Sequence, residues 1–222
     1  MKRVLVSWSS GKDSAWTLHR LRQREDVEVV GLLTTVNEAF GRVAMHGTRR
    51  ALVEAQARAA GLPLWGIPLP WPCSNSEYET RMRDASARAR DQDIEAVAFG
   101  DLFLEDVRRY RERQLTGTGL EPLFPLWGAS TPELAREMIA GGLRARIVCL
   151  DPRALPARFA GREFDATLLA ELPATVDACG EKGEFHSFVY AGPMFREPVQ
   201  VRGGEVMARD GFVFADLELV GR

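Results

Sequence analysis

Short apolar runs alternate with segments of helical spacing through the first half of this chain. Residues 4–8 (VLVSW), 27–35 (VEVVGLLTT), 64–67 (LWGI) and 96–100 (AVAFG) read as strands buried in a sheet interior. Residues 13–24, 48–60, 76–91 and 105–115 read as helices. The first carries Ala15, Trp16, Leu18 and Leu21 at helical spacing, and the second stops at Gly61 with Pro63 beyond. The third opens with Ser76 as N-cap and Glu79 three residues later, the spacing of a capping box. Strand–helix alternation of this kind predicts an α/β fold, a parallel sheet with helices on both faces.

The alternation loosens near residue 128. Beyond it, residues 131–140 read as a helix with Thr131 as N-cap, Pro132 at the first helical position and Gly141 as stop. Residues 144–150 read as a strand and 164–172 as a short helix, followed by β segments at 185–190, 197–201 and 212–220. A main domain over 1–128 and a smaller C-terminal α+β domain over 129–222 are expected. The C-terminal β segments either pack on the main domain or pair across a homodimer.

Net charge is −2, which offers no overall attraction to nucleic acid or to anionic membranes, and no apolar run approaches the ~20 residues of a bilayer span. The cysteines, Cys73, Cys149 and Cys179, are odd in number and form no CxxC pair. They suggest a reducing, cytoplasmic setting and argue against a cysteine-built metal site or a sulfur relay. Only three of the 29 basic residues are Lys, and two of them, Lys12 and Lys182, sit in glycine-containing loops. Lysine there supplies a compact, mobile charge suited to phosphate.

The first such loop is Ser9-Ser10-Gly11-Lys12-Asp13-Ser14, between the first strand and the first helix. A turn in that place aims backbone N–H groups from the positive end of the helix dipole, a ready anion site. Small residues let a phosphate approach, the serines add hydroxyls, and Asp13 can cap the helix or help hold magnesium near phosphates. A Walker A loop is excluded because Val6 stands where its first glycine belongs and Asp13 follows the lysine. The second constellation is DACGEKGEFHSFVYAGPMF, residues 177–195. Glu181, Lys182, Glu184 and His186 sit around Gly180 and Gly183. The group reads either as a polar site able to move a proton on or off an amine, or as a charged hairpin whose glycines make the turn.

The loop 9–14 resembles the SGGKDS pyrophosphate loop of the N-type ATP pyrophosphatases, with Ser10 in place of the first glycine. The two motifs together resemble the diphthine–ammonia ligase-like family, which carries a C-terminal Cys-Gly-Glu-x-Gly-Glu-aromatic block followed by Gly-Pro. RVAMHG at 42–47, the Gly100-Asp101 pair, Tyr110 to Arg113 and PLW at 125–127 fit the same family, so the resemblance spans nearly the whole chain. It implies a Rossmann-like sheet that binds ATP, with Mg2+, and a ligase reaction through an acyl-adenylate. A carboxylate is activated, AMP and pyrophosphate are released, and ammonia forms an amide. Residue by residue, it implies that Ser9, Ser10, Gly11, Lys12, Asp13 and Ser14 hold the phosphates. Thr34, Thr35, Met45 and His46 lie toward adenosine. Gly100 and Asp101 close a strand, with Asp101 holding magnesium or the substrate amine, or else capping a turn. Glu181, Lys182, Glu184 and His186 face the second substrate. In the basic run 108–113, Arg113 is the residue carried over, while His19 reads as a surface or packing residue.

No glutaminase-like segment is present, so nitrogen comes from free ammonium or a partner. Arginine preference suggests a bacterial source, where diphthamide is not expected, so the acceptor can differ while the ATP chemistry carries over. An adenine-nucleotide hydrolase and a non-catalytic ATP- or AMP-binding module are the alternative readings.

Overall fold

The computed structural model describes residues 1–43 and 47–220. The chain begins with β1 (Lys2–Ser7), α1 (Lys12–Arg22), β2 (Val27–Asn37), the two-residue β3 (Arg42–Val43), α2 (Arg50–Ala60) and β4 (Leu64–Leu69). It continues through α3 (Asn75–Arg90), β5 (Ala96–Ala98), α4 (Glu105–Leu115) and β6 (Glu121–Leu123). β1 lies at the centre of the first sheet, parallel to β2 on one side and to β5 on the other. β4 extends the sheet in parallel beyond β2, and β6 does so beyond β5. β3 adds a short antiparallel pairing to the end of β2. The chain thus builds outward from β1 in one direction, then returns to build in the other. The turnaround leaves a crevice outside the carboxyl ends of β1 and β5, where ligands bind in open α/β sheets.

A second sheet follows, built from β7 (Arg144–Leu150), β8 (Phe185–Ala191), β9 (Val201–Arg209) and β10 (Phe212–Leu219). Its order is β8-β7-β10-β9 and every pairing is antiparallel. α5 (Thr131–Ala140) precedes it, and α6 (Ala166–Glu171) lies in the long β7–β8 connection. The architecture is a Rossmann-like α/β sheet with helices on both faces and a smaller antiparallel sheet.

Burial explains the arrangement. Val4, Leu5 and Val6 of β1 are wholly enclosed, as their apolar run requires of a central strand. One continuous core joins the two parts. Val4, Val6, Trp16 and Leu18 from the first sheet and α1, with Trp8 just after β1, share this core with Ile147, Phe185 and Val189 from the second sheet and Phe159 from the β7–β8 connection. The opposite face of the parallel sheet is covered more sparsely, since α3 buries only Ser86 and Ala89, and α4 only Leu115.

Several element ends differ from expectation. The capping box of α3 is Ser74 with Glu77, not Ser76 with Glu79. Both pairs have the required spacing, and the earlier one adds helical residues and hydrogen bonds. α5 is preceded by Ser130 as N-cap rather than Thr131, because the Thr131 hydroxyl is diverted to Asp177 Oδ2 at 2.5 Å. The segment 197–201 is not a strand of its own, since β9 begins at Val201. β9 is exposed along nearly its whole length and carries Gly203 and Gly204, so it shows no alternation and is held through its ladder to β10. β6, a three-residue edge strand, is too short to register as a period. No helix among the described residues is long and apolar enough to cross a membrane.

Candidate functional site

The loop after β1 is held in place by contacts from both parts of the chain. Ser10 has φ of 74°, the left-handed region, at the position where the resembling motif has glycine. A side chain there costs about 1–2 kcal/mol. Here it is offset by a buried contact of the Ser10 hydroxyl with Thr48 Oγ1 at 3.1 Å. The Ser10 carbonyl also accepts from Gln56 Nε2 and from the Val189 N–H of β8, each at 3.0 Å. Gly11 follows as the N-cap of α1 in extended conformation. A Cβ on it would come within 3.1 Å of the Ser187 carbonyl, so β8 can lie across the loop only because the residue is glycine. The Lys12 N–H donates to Ser187 Oγ at 3.2 Å. Ser14 Oγ donates to the Gly11 carbonyl and stands 3.2 Å from Ser9 Oγ. Gly100, just after β5, presses on the first turn of α1. A Cβ there would meet the Asp13 carbonyl carbon at 2.9 Å and the Ser14 nitrogen at 3.0 Å. The loop and the open end of α1 therefore face the crevice between β1 and β5.

Across the crevice stands the turn that follows Asp177. Asp177 Oδ1 accepts from the N–H groups of Cys179 and Glu181, and its Oδ2 takes the Thr131 hydroxyl. The Glu184 carboxylate is buried and accepts from the N–H groups of Asp177 and Lys182, each at 2.9 Å. Glu184 thus clasps the turn from within, and the exposed Lys182 points away from the crevice. Gly180 has positive φ, and a Cβ on it would strike the Phe185 carbonyl at 2.7 Å. The glycines and Glu184 make the turn, while Glu181 and His186 face inward.

Between loop and turn lies a cleft of about 200 Å³ lined by Ser9, Gly11, Lys12, Asp13, Asp101, Arg111, Glu181 and His186, among others. Lys12 is 2% exposed. Its ammonium sits between the rings of Phe164 and Phe185, at 5.8 and 5.4 Å from their centroids. It donates to Asp13 Oδ2 at 2.9 Å and to the Cys179 carbonyl. Burial is the largest influence and works against its charge, but Asp13, Cys179 and Glu181 together outweigh it, so the ammonium is held above its ordinary pKa. Three carboxyls share the cleft, and each is pushed up. Burial raises Asp13 against the opposing effect of Lys12, and burial raises Asp101 against Arg111. Burial, with Asp13 and Asp101 nearby, raises Glu181 to about 7 even though Glu181 accepts from the Leu102 N–H at 2.7 Å. Burial, and then Lys12, pushes His186 down to about 4, so its imidazole is neutral at neutral pH. Asp13 Oδ1 and Asp101 Oδ2 are enclosed and make no hydrogen bond. Two such oxygens beside the open N-terminus of α1 fit a divalent cation.

The cleft adjoins a larger chamber of about 550 Å³ beneath α3 and α4, lined mainly by apolar residues together with Thr34 and Thr35. Thr34 Oγ1 is buried there without a hydrogen bond. The chamber has the size and character of a site for a flat, apolar-faced ligand group with a few polar atoms.

Ser9, Gly11, Lys12, Asp13, Ser14, Gly100, Asp101, Glu181 and His186 thus converge on one cleft, with Ser10 behind it and Thr34 in the adjoining chamber. Met45 and His46 lie outside the described residues. Arg113 lines neither space and faces a groove between α3 and α4. His19 lies against Trp16 on α1, away from the cleft. Sequence reasoning missed Asp177, Arg111 and Gln56. An Asp two residues before Cys-Gly is a recognisable Asx-turn signal. Gln56 and Arg111 lie on helices whose register toward the sheet is set by packing.

The fold and the site define a class: Rossmann-like α/β proteins with a small-residue loop at the topological switch point and a second, antiparallel sheet closing over it. Two family models match the chain in order, the diphthamide synthase N-terminal domain over residues 1–122 and the diphthamide synthase C-terminal domain over residues 130–217. The chain belongs to the diphthamide synthase family. It is 27% identical over 240 residues to the diphthine–ammonia ligase of Bos taurus, covering 96% of this chain and 88% of that one. It is 29% identical over 240 residues to that of Rattus norvegicus, with the same coverage. To that of Mus musculus it is 31% identical over 149 residues, covering 64% of this chain and 55% of that one.

Proposed function

We propose that this protein is an ATP-dependent amide-forming ligase that activates a carboxylate as its acyl-adenylate and passes it to ammonia, with diphthine as the acceptor by likeness to the relatives. The observation that carries the reading is the single cleft formed by the loop 9–14 and the turn 179–187, with Glu181 held near neutral pKa between them. The loop amides and the open end of α1 take the phosphates. The chamber takes the nucleoside, with Thr34 Oγ1 free to meet it. Asp13 and Asp101 hold the magnesium that accompanies ATP and neutralises phosphate charge.

In the first step an acceptor carboxylate oxygen bonds to the α-phosphorus, and the bond to the bridging oxygen breaks with its electron pair leaving on pyrophosphate. In the second, the ammonia nitrogen bonds to the acyl carbon, the bond to the AMP oxygen breaks, and the nitrogen loses a proton. A carboxylate with pKa near 7 accepts that proton at neutral pH, and Glu181 is the group so tuned. Lys12 acts from beneath, its ammonium tying the loop to the Cys179 carbonyl across the two walls of the cleft.

Product analysis with magnesium, labelled ATP, ammonium and a diphthine-bearing acceptor tests the reading. AMP and pyrophosphate that form only with acceptor present, and amide that forms only with ammonium, are expected. AMP and pyrophosphate from ATP and water alone would make the protein a hydrolase. Nucleotide binding with no product would make it a binding module, and ADP with phosphate would refute the assignment of the loop.

A further inference from the structure

The cleft and the chamber are separate spaces with a shared boundary. Four residues line both: Ser7, Ser9, Phe99 and Arg111. Arg111 is the charged member of the four. It reaches the boundary from the middle of α4, with its guanidinium over the Phe99 ring at 5.1 Å from the centroid. Its Nε stands 3.6 Å from Asp101 Oδ2, beyond hydrogen-bonding distance. Arg111 Nε and Asp101 Oδ2 are both enclosed and neither makes a hydrogen bond. A buried guanidinium nitrogen without a hydrogen bond is costly unless a ligand completes it. The other cation of the cleft is already engaged, since the Lys12 ammonium is enclosed by two aromatic rings, Asp13 and the Cys179 carbonyl.

A nucleotide that places its nucleoside in the chamber and its outer phosphates on the loop must carry its α-phosphate across the boundary. We propose that Arg111 is the catalytic cation at the α-phosphate, donating to its non-bridging oxygens as the acceptor carboxylate attacks. The assignment rests on the adenylating reading of the site and adds the residue that meets the reacting phosphorus. The planar guanidinium suits two phosphate oxygens at once, which an ammonium does not match. Its ion pair with Asp101 and its stacking on Phe99 orient it beforehand, and its Nε, which makes no hydrogen bond, is available to the phosphate. Electrostatic donors of this kind contribute about 10²–10³-fold to the rate.

The test compares wild type with Arg111→Met and Arg111→Lys. Arg108→Met serves as control, because Arg108 stacks on Phe124 and Trp127 and lines neither space. Calorimetric titration with adenosine and with AMP reads the α-phosphate contact without turnover. Wild type and Arg108→Met are expected to bind AMP at least tenfold tighter than adenosine. Arg111→Met erases that preference while leaving adenosine affinity within about threefold, and Arg111→Lys recovers part of it. In turnover, Arg111→Met lowers kcat for AMP formation by about 10²-fold with its melting temperature unchanged. Arg111→Met that keeps the AMP preference overturns the proposal while leaving the ligase reading intact. Arg111→Met that weakens adenosine and AMP alike marks a packing role and also overturns it. Wild type that binds neither ligand sinks the nucleotide reading itself.

Discussion

Glu181→Gln is the perturbation whose outcome can be worked out most fully. The carboxyl ordinarily titrates near 4.5 and here near 7, first because of burial and then because Asp13 and Asp101 lie close. Between pH 4.5 and 7 the folded protein holds a proton that the unfolded chain has lost, so stability falls as pH rises through that window and then levels off. At about 1.36 kcal/mol per pH unit the full effect is at most ~3 kcal/mol. Glu181 is part-exposed, and solvent screening reduces that to about 1–2 kcal/mol. Glutamine keeps an acceptor for the Leu102 N–H and carries no charge at any pH. Urea denaturation of wild type and Glu181→Gln at pH 5 and pH 8 isolates the carboxyl, since Asp13 and Asp101 are common to both. The two proteins should match at pH 5, and the variant should be the more stable by about 1–2 kcal/mol at pH 8. Identical stability differences at the two pH values would refute the placement of Glu181 in a buried, carboxylate-rich cleft. In turnover, the wild-type rate should rise through a limb near pH 7 that the variant lacks, with residual activity about 10²–10⁴-fold lower.

Three further outcomes follow from the packing. Gly100→Ala places a Cβ 2.9 Å from the Asp13 carbonyl carbon. It should destabilise by about 1–3 kcal/mol and weaken ATP binding, as thermal melts and titration would show. Glu184→Ala orphans the part-buried N–H groups of Asp177 and Lys182. It should cost about 2–4 kcal/mol at one to two per lost partner, whereas Glu184→Gln, which keeps one oxygen acceptor, should recover about half by denaturant titration. Lys12→Met leaves Asp13 enclosed without its cation and should destabilise by about 3–5 kcal/mol at pH 8. The loss should shrink at pH 4, where Asp13, already pushed up by burial, takes a proton.

The parallel sheet was legible in the sequence because strand burial and helix periodicity are local properties, repeated along the chain and independent of what each element meets. The loop 9–14 was legible for the same reason, since a small-residue turn between strand and helix has a fixed relation to the helix end. Element boundaries were less so. Ser74 and Ser76 offer equal spacings to a glutamate, and Thr131 loses its capping role to an aspartate 46 residues away. Residue types also hid their roles within the second motif. Glu181, Lys182 and Glu184 look alike as a charged run. Only the folded turn separates the carboxylate that faces the cleft from the lysine that faces solvent and from the glutamate that clasps two backbone N–H groups.

By itself the sequence determined the α/β class, the small-residue loop between β1 and α1, and the family to which both motifs point. The tertiary structure alone decided that Ser10 tolerates a left-handed backbone, that Lys12 is spent on joining the two walls, and that Arg111 stands between cleft and chamber. The reason is distance along the chain. Periodicity and turn chemistry act over a few residues, but the Lys12 ammonium meets a carbonyl 167 residues away. Such pairings, and the burial that shifts Glu181 and His186, exist only once the second sheet has closed over the first.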